Sequence, residues 1–465
     1  MTDHHYDLLV LGAGAAGLTA AREGARRGAR TALVEAAEPG GDCTFTGCVP
    51  SKTLLDAAEH GEGFEDAMAR VHETVALIAA TEDRTTLEAE GIDIVHGWAT
   101  LRSPTELDVD GTRLTADRLV LATGARPAVP PIPGLRDIEP RTSETLFALD
   151  ALPRRLAVLG GGAIGAEMGQ AFARLGSEVT ILEGEDRLLP REEPEASAVI
   201  TAALAADGIS VITGDPLAEV RTTLAGHLLC TRNGQQILAD EVLVAVGRRP
   251  NTDGLGLEEA GIALDERGHI RTRSDLRTTA KGVWAIGDVT GRMPFTHAGA
   301  RMGWIAARNA LSTSARLVPA RFDPAAIPAV TYTSPEVAHV GTIEAEAGPT
   351  ARVAHLPFAL VDRARTSGRT EGFVKLIAGP RRGLGNLAGG RVLGATIVGP
   401  RAGEMIHEIA LAMQTGMFTG RLAQTVHAYP TWSMAVQQAA GQFFFPVDGL
   451  AARPARADAG ARTPS

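Results

Sequence analysis

Cysteine is scarce in this chain, three in 465 residues, and there is none after Cys230. So few cannot staple a secreted disulfide scaffold, and a Cys43–Cys48 pair is better read as chemistry in a reducing compartment. Positive charge is in deficit too. Against 55 Asp and Glu stand 45 Lys and Arg, a formal charge of −10 and a pI near 5.7. That balance argues against nucleic acid or an anionic membrane as partner. No apolar run approaches a membrane span, and no charged region with a cleavable apolar segment precedes the first predicted strand. No Ser–His–Asp signature surrounds a nucleophile elbow. A soluble cytoplasmic protein is expected. Its 45% hydrophobic and 22% charged residues are an ordinary globular balance. Its length suits about three domains.

What the chain does have is a pattern that occurs twice. Tyr6-Asp7-Leu8-Leu9-Val10-Leu11 is a short apolar run ending in Gly12-Ala13-Gly14-Ala15-Ala16-Gly17. A helical pattern follows, and then Thr31-Ala32-Leu33-Val34 ends at Glu35. Strand, glycine turn, helix, strand and terminal acid make a dinucleotide-binding fingerprint. Its glycines admit a pyrophosphate to the helix N-terminus, and its carboxylate can accept hydrogen bonds from ribose hydroxyls. Leu156-Ala157-Val158-Leu159 leads likewise into Gly160-Gly161-Gly162-Ala163-Ile164-Gly165, a helix, and Val179-Thr180-Ile181-Leu182 before Glu183. The interval from third glycine to acid is the same in both copies. A lone glycine motif is often merely a turn, but two in full context predict two nucleotides, one flavin and one nicotinamide.

Between them lies Gly40-Gly41-Asp42-Cys43-Thr44-Phe45-Thr46-Gly47-Cys48-Val49-Pro50-Ser51-Lys52. A Cys43–Cys48 disulfide would close a very short loop, and strained or exposed disulfides are the labile ones. Pro50-Ser51-Lys52 reads as a helix opening, whose dipole would favour a Cys48 thiolate. The duller alternative is two buried, reduced cysteines that only fill space.

On these residues the chain resembles the flavin-dependent pyridine nucleotide–disulfide oxidoreductases, which include dihydrolipoamide dehydrogenase, glutathione reductase and mercuric reductase. The cysteine spacing, Gly47 and Pro50-Ser51-Lys52 all agree, whereas Phe45-Thr46 departs from the usual Asn-Val. The resemblance implies that Cys48 faces the flavin and Cys43 exchanges with substrate. It sets Lys52 beside the flavin ring and pairs it with Glu167. Thr123-Gly124, in Ala122-Thr123-Gly124-Ala125-Arg126-Pro127, matches the family's crossover turn. Gly287-Asp288 matches the second flavin motif, with Asp288 on the ribityl chain, and Gly247 lies in a further turn before Asn251. The implied cofactors are FAD and NADH, with NADPH possible because Arg187 is near Glu183. No resident metal is expected.

The implied fold is α/β: two Rossmann-like dinucleotide-binding domains and a C-terminal α+β dimerisation domain, assembled as a homodimer. Expected boundaries are 1–150 and 266–326 for FAD, 151–265 for NAD(P), 327–446 for the interface domain and 447–465 for a disordered tail. A helix is expected over 64–80 and a β-rich stretch over 93–121. His4-His5 reads as a mobile end, Cys230 as an inert strand residue and His407-Glu408 as a helix-surface pair.

Near the C-terminus the family pattern fails. Disulfide reductases of the family carry a catalytic His before a proline and a Glu five positions on. Here His427-Ala428-Tyr429-Pro430-Thr431-Trp432-Ser433-Met434 puts Tyr429 and Met434 at those positions. His427 shares a face with Tyr429 if the segment is extended. Tyr429, Phe295-Thr296-His297 and Asp362-Arg363-Ala364-Arg365 resemble the mercuric-reductase side, yet the C-terminal cysteine pair that collects Hg(II) there is missing. The expected function is electron transfer from NAD(P)H through FAD and Cys43–Cys48 to an acceptor: a small disulfide, a dithiol run in reverse, a quinone or a soft metal ion. The alternatives are dihydrolipoamide dehydrogenase and a flavoprotein redox sensor with little turnover.

Overall fold

The computed structural model describes residues 5–381 and 383–456. The chain forms two compact units, one from Met1–Pro131, Glu139–Leu152 and Leu243–Asp323, the other from Ile132–Ile138, Pro153–Val242 and the chain from Pro324 onward.

In the first unit a five-stranded parallel sheet runs in the order Val283–Ala285, Leu119–Leu121, Leu8–Leu11, Thr31–Glu35, Ile92–His96. The central strand, Leu-Leu-Val-Leu, is buried along its whole length, which is why it reads as a continuous apolar run instead of an alternating one. Helices Ala15–Arg26 and Thr296–Leu311 lie against each other through small residues. A Cβ on Gly303 would come within 3.1 Å of the Ala20 nitrogen, so only glycine allows this approach. The expected helix over 64–80 is Phe64–Ala79. The β-rich stretch supplies Ala99–Ser103, Glu106–Val109 and Thr112–Ala116 to a second sheet.

His5 belongs to that second sheet. Strand His5–Tyr6 pairs with Thr115 and Ala116, and the His5 ring meets the Thr115 hydroxyl at 3.1 Å. The expectation of a mobile His4-His5 end fails for His5, because backbone pairing holds it; His4 lies outside the described residues.

The second unit contains the parallel strands Arg155–Leu159, Glu178–Leu182 and Ser210–Ile212 with helix Ala163–Arg174. An antiparallel meander follows, Leu217–Thr223, Gly226–Thr231 and Gln236–Ala239, with Cys230 in its middle strand. A six-stranded antiparallel sheet is ordered Ala329–Thr331, Glu336–Gly341, Arg391–Gly399, Phe373–Gly379, Arg352–Pro357, Arg453–Pro454. Helices Ala402–Gln414 and Met434–Gly441 complete its core. Within the expected 151–265 segment, the chain rejoins the first unit already at Leu243, so Gly247 falls there. Among the described residues no helix is long and apolar enough to cross a membrane.

The expectation of a disordered tail from 447 is corrected as far as 456. The Val447 amide donates to the Leu450 carbonyl at 2.8 Å, Arg453–Pro454 pairs with Arg352 and Val353, and Arg453 binds Glu344. Ala451-Ala452-Arg453-Pro454 has no apolar periodicity because sheet-edge pairing and an ion pair hold it instead. Residues 457–465 lie outside the described residues.

Strand Phe373–Gly379 is buried throughout and includes Lys375, whose side chain is 1% exposed. The ammonium contacts Glu193 at 3.1 Å, Glu195 at 2.8 Å and Glu344 at 3.1 Å. Burial pushes the Glu344 carboxyl up, but Arg453, the Arg456 amide and Lys375 outweigh it and hold it down at about 2. Breaking a buried pair from one side strands the other charge. A Lys375→Met variant should therefore lose about 3–5 kcal/mol, seen as a lower melting temperature at pH 7. A depressed carboxyl stabilises above its unfolded value of about 4.3 and loses that contribution as pH falls towards its folded value. The gap between variant and parent should accordingly shrink from about pH 4.3 downward; a gap constant with pH would contradict this network.

Candidate active site

The two glycine turns divide their labour in the same way. Gly12, at φ +101°, takes a conformation that side chains resist, and a Cβ there would lie 2.7 Å from the Ala122 carbonyl carbon. A Cβ on Gly17 would strike the Gly12 carbonyl, so this glycine serves strand–helix packing. Gly14 differs, for no protein atom lies within 4 Å of a Cβ added there. In the second unit Gly160 is at φ +108°, Gly165 abuts the Gly160 carbonyl, and a Cβ added to Gly162 likewise meets no protein atom within 4 Å. Each turn thus leaves an uncovered backbone approach at the N-terminus of a 12-residue helix. Outward-facing amides and a helix dipole there fit a pyrophosphate. Both sites suit dinucleotides on this ground.

The terminal acids brace these turns. One Glu35 oxygen accepts from the Ala13 amide at 2.6 Å, and the other from Ala36 and Ala37 at 2.8 and 3.0 Å. Glu183 accepts from the Gly161 and Glu185 amides at 2.6 and 2.9 Å. Beside Glu35 a cavity of about 120 Å³ is lined by Glu38, Arg84 and His96 among others.

The cysteine loop is tied directly to the first turn. The Gly40 amide donates to the Ala13 carbonyl at 2.9 Å, and a Cβ on Gly41 would lie 2.7 Å from the Gly14 Cα. Cys43 sits on the short helix Gly41–Phe45, and Cys48 is the first residue of helix Cys48–Glu59. Lys52 follows Cys48 one helical turn later. Cys43 and Cys48 are not joined by a disulfide, and the Thr296 hydroxyl meets the Cys48 sulfur at 3.4 Å. Thr296 opens helix Thr296–Leu311. The Cys43 thiol is pushed far up, first by its hydrogen bond to Cys48 and then by burial.

The Thr123-Gly124 turn is locked by a residue that sequence reading left without a role. Asn251 receives the Thr123 hydroxyl on its carbonyl at 2.8 Å and donates its side-chain amide to the Thr123 carbonyl at 2.9 Å. Its backbone amide donates to Gly124 at 3.0 Å. Arg248 was missed likewise. Its guanidinium binds Asp42, in the cysteine loop, and lies 3.6 Å from Asp288. Burial raises the Asp288 carboxyl and the Arg248 charge opposes that. The signal available was the run Gly247-Arg248-Arg249-Pro250-Asn251, a cation and an amide set in a rigid turn. Asp288 itself lies in the 3-10 turn Gly287–Thr290.

In the second unit Glu167 is buried and accepts from the Tyr332 amide at 2.8 Å. Arg187, a concern beside Glu183, donates to the Pro190 and Glu192 carbonyls at 2.8 and 3.0 Å.

The C-terminal segment departs from expectation. Residues 426–428 form no strand, so the extended segment that would set His427 and Tyr429 on one face is not formed. The His427 ring, 6% exposed, sets Nε2 3.1 Å from Glu408 and Nδ1 2.9 Å from the Thr425 carbonyl. Glu408 therefore pairs with His427, while His407 stays exposed. Tyr429 is 70% exposed and donates its hydroxyl to Asp362 at 3.1 Å. Met434 begins helix Met434–Gly441.

The pyridine nucleotide-disulphide oxidoreductase family matches residues 6–303, and the dimerisation domain of that family matches residues 327–440. A dihydrolipoyl dehydrogenase of Thermus scotoductus is 38% identical over 461 residues, covering 94% of this chain and 96% of the relative. A mercuric reductase of Streptomyces lividans is 39% identical over 468 residues, again covering 94% and 96%. Among solved structures, a Cu(II) complex of the HOCl-induced flavoprotein disulfide reductase RclA from Escherichia coli is similar at a TM-score of 0.84. It is 30% identical, and the match covers 95% of this chain and 99% of that one.

Proposed function

Because this chain belongs to the pyridine nucleotide-disulphide oxidoreductase family, and so is a flavoprotein using FAD and NAD(P)H, we propose that its acceptor is a thiophilic metal ion, Cu(II) foremost. FAD, when bound, takes a hydride from the nicotinamide and passes on two electrons. Gly12, Gly14, Gly17, Glu35, Thr123, Gly124, Gly287 and Asp288 would hold it, with Lys52 beside the ring. Gly247 supports the turn that carries Arg248. Gly160, Gly162, Gly165 and Glu183 hold the nicotinamide cofactor. The dimerisation match at 327–440 supports a homodimer.

The observation that carries the acceptor reading is the commitment of both C-terminal proton carriers. His427 has a partner at each ring nitrogen, the Thr425 carbonyl at Nδ1 and Glu408 at Nε2, so both nitrogens are engaged within the fold. Tyr429 has given its proton to a hydrogen bond with Asp362. Both are engaged within the fold, and neither is set to take a proton from a substrate thiol. A metal ion needs no such base: closing the Cys48 thiolate and the Cys43 thiol to a disulfide gives up two electrons, which reduce two Cu(II) to Cu(I), and one proton, which passes to solvent. The mercuric reductases and the copper-bound relative lean the same way. The chain has no cysteine after Cys230 with which to collect Hg(II), which favours copper. The dihydrolipoyl dehydrogenase at 38% identity keeps lipoamide as the second reading.

NADH is the proposed donor. Glu183 repels a 2′-phosphate, and Arg187, held by two carbonyls, is not presented to neutralise one. The test is a screen of purified holoenzyme against Cu(II), Hg(II), dihydrolipoamide, glutathione disulfide and a quinone, with NADH and NADPH in parallel. Cu(II)-dependent NADH oxidation, with trapped Cu(I) at two per NADH, is the expected result. A higher kcat/KM for lipoamide than for any metal, or for NADPH than for NADH, would overturn the corresponding assignment.

A further inference from the structure

Tyr429 stands where the family resemblance expects a histidine, and Met434 where it expects the carboxylate that orients it. A thioether cannot accept the phenolic proton usefully, so the replacement looks incomplete in sequence. In the fold a carboxylate arrives from elsewhere. Asp362, the first residue of helix Asp362–Ser367, places Oδ2 3.1 Å from the Tyr429 hydroxyl. The two are 67 positions apart in the chain.

We propose that Asp362 is the positioning residue of Tyr429, so that an Asp–Tyr pair takes the place of the missing dyad and turns the phenol's lone pairs outward to a cationic acceptor. The acceptor half of this rests on the copper reading above; the pairing half does not.

The chemistry follows from where the proton is. A phenol that donates to a carboxylate has no hydrogen left for an incoming group and can only accept from it or ligate it. An anionic thiolate meets lone pairs and is disfavoured, whereas a metal ion is suited. Asp362 is shared, for its Oδ1 lies 3.5 Å from an Arg365 nitrogen. That exposed pair is long, and the Arg365 guanidinium also donates to the Ala359 carbonyl at 2.8 Å. Arg365 thus tempers the Asp362 charge without removing its hold on Tyr429. The hydrogen bond to Asp362, and then its charge, raise the Tyr429 hydroxyl above the ordinary phenol value. His427, two residues away, is turned into Glu408 and does not compete.

The chain contains only three tyrosines, Tyr6, Tyr332 and Tyr429, which makes the pairing directly readable. Holoenzyme labelled with 3-fluorotyrosine gives three ¹⁹F resonances, assigned by loss of one in Tyr429→Phe, and fluorination brings phenol ionisation into the pH range of the folded protein. In Asp362→Asn the Tyr429 resonance alone should titrate at lower pH than in the parent, and Asp362→Glu should move it back. The KM for Cu(II) should rise in Asp362→Asn and in Tyr429→Phe, and the double variant should be no worse than the poorer single one, since the carboxylate acts through the phenol. A Tyr429 titration unchanged by Asp362→Asn would overturn the pairing. An unshifted KM, or single losses that multiply in the double variant, would overturn its role at the acceptor. If the parent reduces no Cu(II) at all, the copper reading falls with the acceptor half, and the titration still decides the pairing.

Discussion

Dihydrolipoamide oxidation at pH 7 should be slow, on the order of 10²–10⁴ below what a positioned general base permits, and should climb with pH as the substrate thiol ionises unaided. The reason is geometric. His427 meets the Thr425 carbonyl through Nδ1 and Glu408 through Nε2, so both ring nitrogens are already occupied within the fold. Tyr429 starts from an unperturbed pKa of about 10, and Asp362 raises it further. At neutral pH it cannot act as a base. Tyr429→His together with Met434→Glu should recover much of the loss, and more than either change alone, because a carboxylate at 434 acts through an imidazole at 429. The measurement is a pH–rate profile of dihydrolipoamide-dependent NAD⁺ reduction for the parent, both single variants and the double. Fast turnover by the parent with a neutral optimum would make lipoamide the substrate and demand that His427 release one of its partners.

The second large effect concerns the cysteines. Reduction of the holoenzyme by about two electrons should produce a long-wavelength band from a thiolate facing the flavin, as the family resemblance implies. Cys48→Ser should abolish that band and all transfer to Cu(II). Cys43→Ser should also stop turnover but keep a thiolate at 48. The asymmetry rests on the pair itself: Cys43 holds its proton far above the usual thiol range because it is hydrogen-bonded to Cys48 and partly buried. The negative charge of the reduced pair therefore belongs on Cys48, at the start of helix Cys48–Glu59 and against the Thr296 hydroxyl at 3.4 Å. Anaerobic titration with dithionite, followed spectrally, checks both variants. A band that survives Cys48→Ser would place the charge on the wrong sulfur and refute the order of the relay.

By itself the sequence determined everything that depends on near neighbours in the chain. Two glycine turns, each between a buried strand and a helix, are legible because a pyrophosphate cradle needs consecutive residues with fixed backbone shapes. The cysteine spacing and the helix that opens at Cys48 are local for the same reason, and the three-part architecture follows from the order of such units. The tertiary structure alone decided which charge meets which. Arg248 joins Asp42 to Asp288, Glu408 claims His427, Asp362 claims Tyr429, and Lys375 gathers Glu193, Glu195 and Glu344. It also decided that Arg453 pins the end of the described chain to a sheet edge. The physical reason is that periodicity along a sequence reports burial, which nearest neighbours share. A hydrogen bond between residues 67 positions apart leaves no periodic trace, because only the packed elements bring its two ends within 3.1 Å.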